Sequence, residues 1–250
     1  MFFHAIPSSG SGESAVIKVE NLSVFYGEHS ALQSIAFSLE KGLTLGVIGP
    51  IGSGKTTLLL ALAKLIKFGG KICIGGTEKE KELRKILGIV FQNPDDQLFM
   101  PTVFEDVAFG LRNLGMEEKQ LTTKVEETLA LLDLSKFQHR PSHHLSGGEK
   151  KTVALATVLA MEPEYILLDE PSSNLDPYHR RKILRLIQQL PQTFVIASHD
   201  LDFLWETADK CLLLYEGKQI TYDNAKKILS NQNLLEKYKL ELPLGLQNLS

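Results

Sequence analysis

Leu45-Gly46-Val47-Ile48-Gly49-Pro50-Ile51-Gly52-Ser53-Gly54-Lys55-Thr56-Thr57-Leu58 passes from an apolar, strand-like run through glycines into a helical pattern that continues to Ile66. Gly49 to Thr56 carry the spacing G-x-x-x-x-G-K-[ST], that of a phosphate-binding loop. Glycines at 49, 52 and 54 leave backbone N–H groups free to curl around phosphate oxygens, with Ser53 and Thr57 in the same cradle. The new helix aims its unsatisfied N–H groups and its positive dipole end at the anion. Lys55 supplies a cation for the β- and γ-phosphates, and the Thr56 hydroxyl is placed to ligate Mg²⁺. A glycine-rich turn matching this spacing by accident occurs in about one chain in a hundred of this size. A strand before it and a helix after it make accident rarer still.

The 250 residues suffice for one large domain with a sizeable core, and 43% hydrophobic and 23% charged residues are ordinary for a globular chain. The formal net charge of −3 argues against a face devoted to nucleic acid. Cys73 and Cys211 sit in apolar, strand-like contexts and read as buried reduced thiols, with no zinc spacing between them. Residues 1–15 read as a flexible lead: Met1–Pro7 lack a positive start, and Ser8–Ser14 are Ser/Gly-rich. The longest apolar runs, near Leu58–Ile66 and Val153–Met161, are too short to span a bilayer.

Strands are expected at Val16–Val19, Ile35–Leu39, Lys71–Ile74 and Ile86–Val90, with a helix over Glu78–Lys85. From Val103 to Leu132 the period becomes helical, with Leu121, Val125, Leu129 and Leu132 on one face, so residues 93–161 read as a helical subdomain. Strand–helix alternation resumes at Tyr165–Leu168, Pro177–Leu190, Thr193–Ala197, Leu201–Ala208 and Cys211–Tyr215. The fold class is α/β: a mainly parallel sheet flanked by helices, built on a P-loop NTPase core.

Two further constellations carry chemistry. Tyr165-Ile166-Leu167-Leu168-Asp169-Glu170 is an apolar strand ending in two acids, at the carboxyl edge where α/β sheets hold ligands. Asp169 can hold Mg²⁺ and Glu170 can orient or deprotonate an attacking water; the plain alternative is an acidic turn before Pro171. Leu145-Ser146-Gly147-Gly148-Glu149 brings a second glycine-rich turn to a helix start, either as another anion cradle or as Ser146 and Glu149 closing a capping box. Both can hold together. One chain does not need two cradles for one γ-phosphate, so the second is expected to serve a nucleotide held by another subunit.

With these motifs on the page, the chain resembles the nucleotide-binding domain of an ABC transporter. The phosphate loop, Gln92, Leu145–Glu149, Asp169-Glu170, Asn174-Leu175-Asp176 and His199 stand in that family's order. The resemblance implies an antiparallel β subdomain, an ATPase domain over residues 16–231 and a tail over 232–250. It implies that Tyr26 stacks on adenine, that Gln92 senses Mg²⁺ and the attacking water, and that Glu170 is the general base. It further places His199 on the γ-phosphate, Asp176 at a dimer interface, and Ser146, Gly147 and Gly148 on the partner's ATP. Taken alone, Tyr26 would be a strand aromatic and His199 a strand-end histidine.

A narrower resemblance rests on Val90–Phe99, Thr102–Gly110, Asn113–Gly115 and Leu240–Leu244. These segments are similar to the ATPases of energy-coupling-factor (ECF) importers of the cobalt/nickel and vitamin types, in which this region receives a membrane scaffold. It implies an ATP-hydrolysing, Mg²⁺-dependent homodimer or heterodimer, peripheral at the cytoplasmic face of the membrane, serving a transmembrane coupling subunit and a substrate-capture subunit. An ABC ATPase of another importer class or one acting on nucleic acid is the alternative, disfavoured by the acidic balance and the compact helical segment. Glu170 and His199 argue against a non-hydrolysing sensor. Two departures stand out: Thr152 replaces an expected cation, and Asn174 stands where a small residue is common. His139, His143 and His144 are loosely spaced around Pro141 and read as a solvated turn rather than a metal site.

Overall fold

The computed structural model describes residues 16–247. In chain order its elements are β1 (Val16–Tyr26), β2 (His29–Glu40), β3 (Thr44–Ile48), α1 (Lys55–Leu62), β4 (Gly69–Ile74), α2 (Glu80–Ile86) and β5 (Leu87–Val90). There follow α3 (Val103–Asn113), α4 (Glu118–Leu131), α5 (Gly147–Leu159), β6 (Tyr165–Asp169), α6 (Pro177–Gln189) and β7 (Thr193–Ala197). The last elements are α7 (Leu201–Thr207), β8 (Lys210–Tyr215), β9 (Lys218–Asn224), α8 (Ala225–Leu229), α9 (Gln232–Lys237) and α10 (Leu244–Gln247).

A nine-stranded sheet runs in the order β4-β1-β2-β9-β8-β3-β7-β6-β5. β3, β5, β6, β7 and β8 are mutually parallel. β1 pairs antiparallel with both β2 and β4, which makes the antiparallel subdomain, joined to the rest through the single parallel pairing Gln33↔Lys218. β3, β6 and β7 are buried along their whole length, because helices cover both faces. Their side chains alternate between two cores. Ile166, Leu168, Phe194 and Ile196 pack with α3 to α7, whereas Tyr165, Leu167, Val195 and Ala197 pack with α1 and the antiparallel strands.

The expected helical segment is α3, α4 and α5, each turning its apolar face to one shared core. α1 stops at Leu62, short of the Ile66 that the apolar pattern suggests. Leu65 N–H bonds back to Leu60 O and Lys64 N–H to Ala61 O, with Lys64 left-handed at φ 56°, a hydrogen-bonded ending that stops the helix. β9 was not legible as a strand, since its faces carry no alternation of buried and exposed residues. Its signal was the preceding Glu216-Gly217, both at positive φ, the two-residue turn of a hairpin. Cys73 corrects the reading of two buried thiols: it is half-buried, on the outward face of edge strand β4 between inward Ile72 and Ile74, whereas Cys211 is buried. The 1–15 lead lies outside the described residues. Over residues 232–242 the chain packs on the body, with Leu235 fully buried and Leu234, Tyr238, Leu240 and Leu242 against the same core.

Candidate nucleotide site

Parallel pairing brings the motif-bearing strand ends to one edge. Val47 opposes Ala197, Asp169 opposes Ala197, and Val90 opposes Leu168, so Gly49, Glu170, Ser198-His199 and Gln92 all leave the sheet on the same side. Hydrogen bonds from Ser198 N to Val47 O (3.1 Å) and from Glu170 N to Ala197 O (2.8 Å) extend the ladder into these loops.

The phosphate loop is shaped by glycine where it has to be. A Cβ on Gly49 (φ 150°) would lie 2.2 Å from the Leu214 carbonyl oxygen, and one on Gly54 (φ 103°) 2.9 Å from that of Ala31. Gly54 is also the N-cap of α1, with no side-chain cap and no acid in the first turn, so the N–H groups there are left for an anion. Gly52 is exposed and Thr57 half-buried in that turn. Lys55 Nζ donates to the carbonyls of Gly49 (2.8 Å) and Pro50 (3.1 Å). Burial pushes its pKa down, with Glu170 and Asp169 pulling the other way.

Strand alternation then sorts the two acids. Asp169 points to the α1 side, where its Oδ2 accepts from Thr56 Oγ1 at 2.8 Å. Its other oxygen, Oδ1, is buried with no partner, as is Ser53 Oγ within the loop. Burial raises the Asp169 pKa and Glu170 adds to the rise, against the Thr56 hydrogen bond, Lys55 and Lys151. Glu170, left-handed at φ 49°, turns its carboxylate toward the end of β7. There Oε1 accepts from His199 N–H (3.1 Å), while Oε2 lies 2.7 Å from His199 Nδ1 and accepts from Ser198 Oγ (3.2 Å). The Glu170 side chain is 8% exposed and that of His199 66%, so the acid is held inside and the imidazole stands at the mouth.

The remaining predicted residues stand on other elements of the chain. Gln92 is exposed, just past β5. Tyr26 is 50% exposed at the β1–β2 turn. Ser146 caps α5 and forms the capping box: Glu149 N–H donates to Ser146 Oγ at 3.3 Å, and Ser146 N–H to Glu149 Oε2 at 2.8 Å. Gly147 and Gly148 keep first-turn N–H groups without intrahelical acceptors, so cap and cradle coexist. A Cβ on Gly148 would come within 3.4 Å of Leu175, which puts the Leu145–Glu149 turn beside Asn174-Leu175-Asp176. Asp176 caps α6 through the N–H groups of Tyr178 and His179. Asn174 has φ 58°, which asparagine tolerates better than most residues, and this explains its place where a small residue is common.

Functional reading of the sequence missed side chains that act through the backbone. Gln97 accepts from Phe91 N–H (3.2 Å) and donates to Ala154 O (2.9 Å) and Thr157 Oγ1 (2.8 Å), pinning the Gln92 loop to α5. Buried Asp106 accepts from the N–H groups of Phe99 and Met100 (2.9 Å each) and from Ser142 Oγ (2.5 Å). Their only sequence signal was membership of the quoted 90–110 stretch. His143 and His144 stack edge to face, His139 meets Gln138, and no group of three or more metal-binding side chains forms among the described residues.

The family model described as ABC transporter matches residues 32–173. The energy-coupling factor transporter ATP-binding protein EcfA of Methanocaldococcus jannaschii is 40% identical over 91% of this chain and 86% of its own length. CbiO1 from Clostridium perfringens, described as part of the ABC transporter complex cbiONQ, superposes with a TM-score of 0.79 at 32% identity, covering 95% of this chain and 99% of that one. A dimeric ATP-binding cassette in a post-hydrolysis state, bound to ADP and phosphate, gives 0.76 at 27% identity over 84% of this chain and 98% of that one.

Proposed function

The chain belongs to the ABC transporter family, whose ATP-binding domain hydrolyses ATP, and from that premise we propose that it is the ATPase subunit of an ECF-type importer, working as one half of a dimer. The observation that carries the nucleotide chemistry is the contact chain Thr56–Asp169 and Glu170–His199 at one sheet edge, beside an open helix N-terminus. The loop N–H groups and Lys55 bind the phosphates. Thr56 Oγ1 and the unpartnered Asp169 Oδ1 would hold Mg²⁺, a sparse protein ligand set suited to an ion that keeps water and phosphate oxygens. When bound, it neutralises charge on the β- and γ-phosphates.

Glu170 is oriented by Ser198 Oγ and the His199 backbone N–H and serves as general base. It takes a proton from the water whose oxygen bonds to the γ-phosphorus as the bond to the ADP oxygen breaks. His199, exposed at the mouth, leaves Glu170 to donate to the γ-phosphate. Gln92 positions the water and Tyr26 stacks on adenine. Ser146, Gly147 and Gly148 reach the ATP of the facing subunit, with Asp176 at that interface. The dimeric ADP- and phosphate-bound neighbour supports this arrangement.

The ECF assignment rests on the EcfA and CbiO1 likeness and on a surface feature. Phe99 (66% exposed) and Phe109 (41%) meet edge to face at 5.0 Å, with Leu114 also exposed. Such an apolar patch, held in shape by Asp106, suits the helices of a membrane scaffold. No helix among the described residues is long and apolar enough to cross a membrane. In the ECF reading a transmembrane coupling subunit forms the path, with a substrate-capture subunit beside it and this chain peripheral at the cytoplasmic face. The test is mild-detergent purification of the tagged chain from native membranes. A stoichiometric membrane scaffold with a capture protein supports the reading. An active ATPase that leaves the membrane alone overturns it.

A further inference from the structure

A lysine in a helix ordinarily keeps its ammonium in water, yet Lys151 in α5 is 6% exposed. Its Nζ donates to the carbonyl oxygens of Glu170 (2.6 Å) and Ser173 (2.7 Å) and to Ser173 Oγ. Three acceptors match the three protons of an ammonium. Ser173 Oγ in turn donates to Glu170 O at 3.0 Å, and Ser173 N–H to the same oxygen at 3.2 Å. The Glu170 carbonyl is therefore the focus of a small buried network, at a residue whose left-handed φ of 49° persists only where its surroundings hold it. Rotation of that backbone would swing the carboxylate off Ser198 and His199.

The other end of the network is the Leu145–Glu149 turn. Lys151 follows Gly148 by three residues, so both lie on one face of α5, about 4.5 Å apart along its axis. The cation that seemed lost at Thr152 is thus carried one position earlier and pointed inward, while Thr152 Oγ1 closes on Gly148 O at 2.9 Å. We propose that Lys151 is a positioning residue for hydrolysis, tying the helix that begins at the Ser146–Gly148 cradle to the backbone of Glu170 and to the turn that leads into Asp176. An anion arriving at the cradle then bears, through one rigid turn of helix, on the general base of the same chain. The inference rests on the reading of Glu170 as that base.

The test is single-turnover hydrolysis of radiolabelled ATP by the full chain, with a fluorescent nucleotide for affinity. Lys151→Met keeps the stem and removes the ammonium; it is expected to slow turnover about 10–100-fold with nucleotide affinity changed less than about twofold. In the Glu170→Gln background the same substitution is expected to add nothing further. Multiplicative losses in the double variant, or parental turnover by Lys151→Met, overturn the proposal. Should Lys151→Met not fold, Lys151→Gln and Ser173→Ala decide it: each is expected to slow turnover only when Glu170 is present, and equal slowing in both backgrounds overturns it. Parental activity in Glu170→Gln alone would remove the general-base reading instead, so the two failures are separable.

Discussion

His199 Nδ1 lies 2.7 Å from Glu170 Oε2, and the His199 backbone N–H reaches Oε1 at 3.1 Å, so one residue at the end of β7 grips both oxygens of the acid at the end of β6. Glu170→Gln keeps the shape and loses the base. Turnover is expected to fall about 10²–10⁴-fold with ATP affinity intact. A phosphate-release assay beside equilibrium binding checks it, and unchanged hydrolysis would remove the role assigned to Glu170.

Asp169 Oδ2 is held by Thr56 while Oδ1 has no partner. Asp169→Asn is expected to erase the gain in ATP affinity that Mg²⁺ confers and to leave affinity in EDTA close to parental. Titrating nucleotide with and without Mg²⁺ measures both. An undiminished Mg²⁺ effect would place the ion elsewhere.

Lys55 stands inside the phosphate loop, whereas the facing cradle belongs to another chain in the dimeric reading. Lys55→Ala is accordingly expected to abolish ATP-induced dimerisation together with binding. Light scattering in ATP, using Glu170→Gln as the background that retains nucleotide, shows whether dimers persist. Persistence would contradict the shared site.

Arg180 grips Asp200 through Nε (2.8 Å) and Nη2 (3.0 Å) just beyond His199. Burial pushes the Asp200 pKa up, but the Arg180 hydrogen bonds, the Phe203 N–H and the Arg180 charge together hold it below the usual range. A carboxylate depressed in the folded state stabilises above its unfolded pKa of about 4, and that stability is lost as pH falls through the folded value. Asp200→Asn is expected to cost about 1 kcal/mol at pH 7 and to converge on the parent as pH falls through the folded Asp200 value, by urea unfolding. A gap that survives at low pH would mean that the loss is one of packing.

Phe99 and Phe109 expose an aromatic pair outside the nucleotide edge. Phe99→Glu with Phe109→Glu is expected to leave ATPase activity of the isolated chain within about twofold and to lose the membrane scaffold in pull-downs. Retained scaffold would move the docking surface elsewhere.

How far the sequence could be read follows from the range of each interaction. The phosphate loop was legible because its residues are contiguous: Gly49, Gly52 and Gly54 all have positive φ, which glycine adopts freely, and Lys55 and Thr56 open the helix that follows directly. The buried parallel strands were legible from continuous apolar runs, and Ser146 with Glu149 from a four-residue cap. β9 was not, because its pairing with β8 is carried by backbone hydrogen bonds and its faces show no period.

By itself the sequence determined an α/β ATP-binding chain with a phosphate loop, an acid pair at a strand end and a second helix-capped glycine turn, since each is a contiguous motif with its own steric and hydrogen-bonding logic. Only the tertiary structure decided which oxygen of Asp169 stays unpartnered, that Ser198 and His199 both hold Glu170, and that Lys151 points inward to the Glu170 carbonyl. Those contacts join residues from separate strands and helices. A side chain's partner across such a gap is set by strand register and helix packing, which no local pattern of residue types encodes.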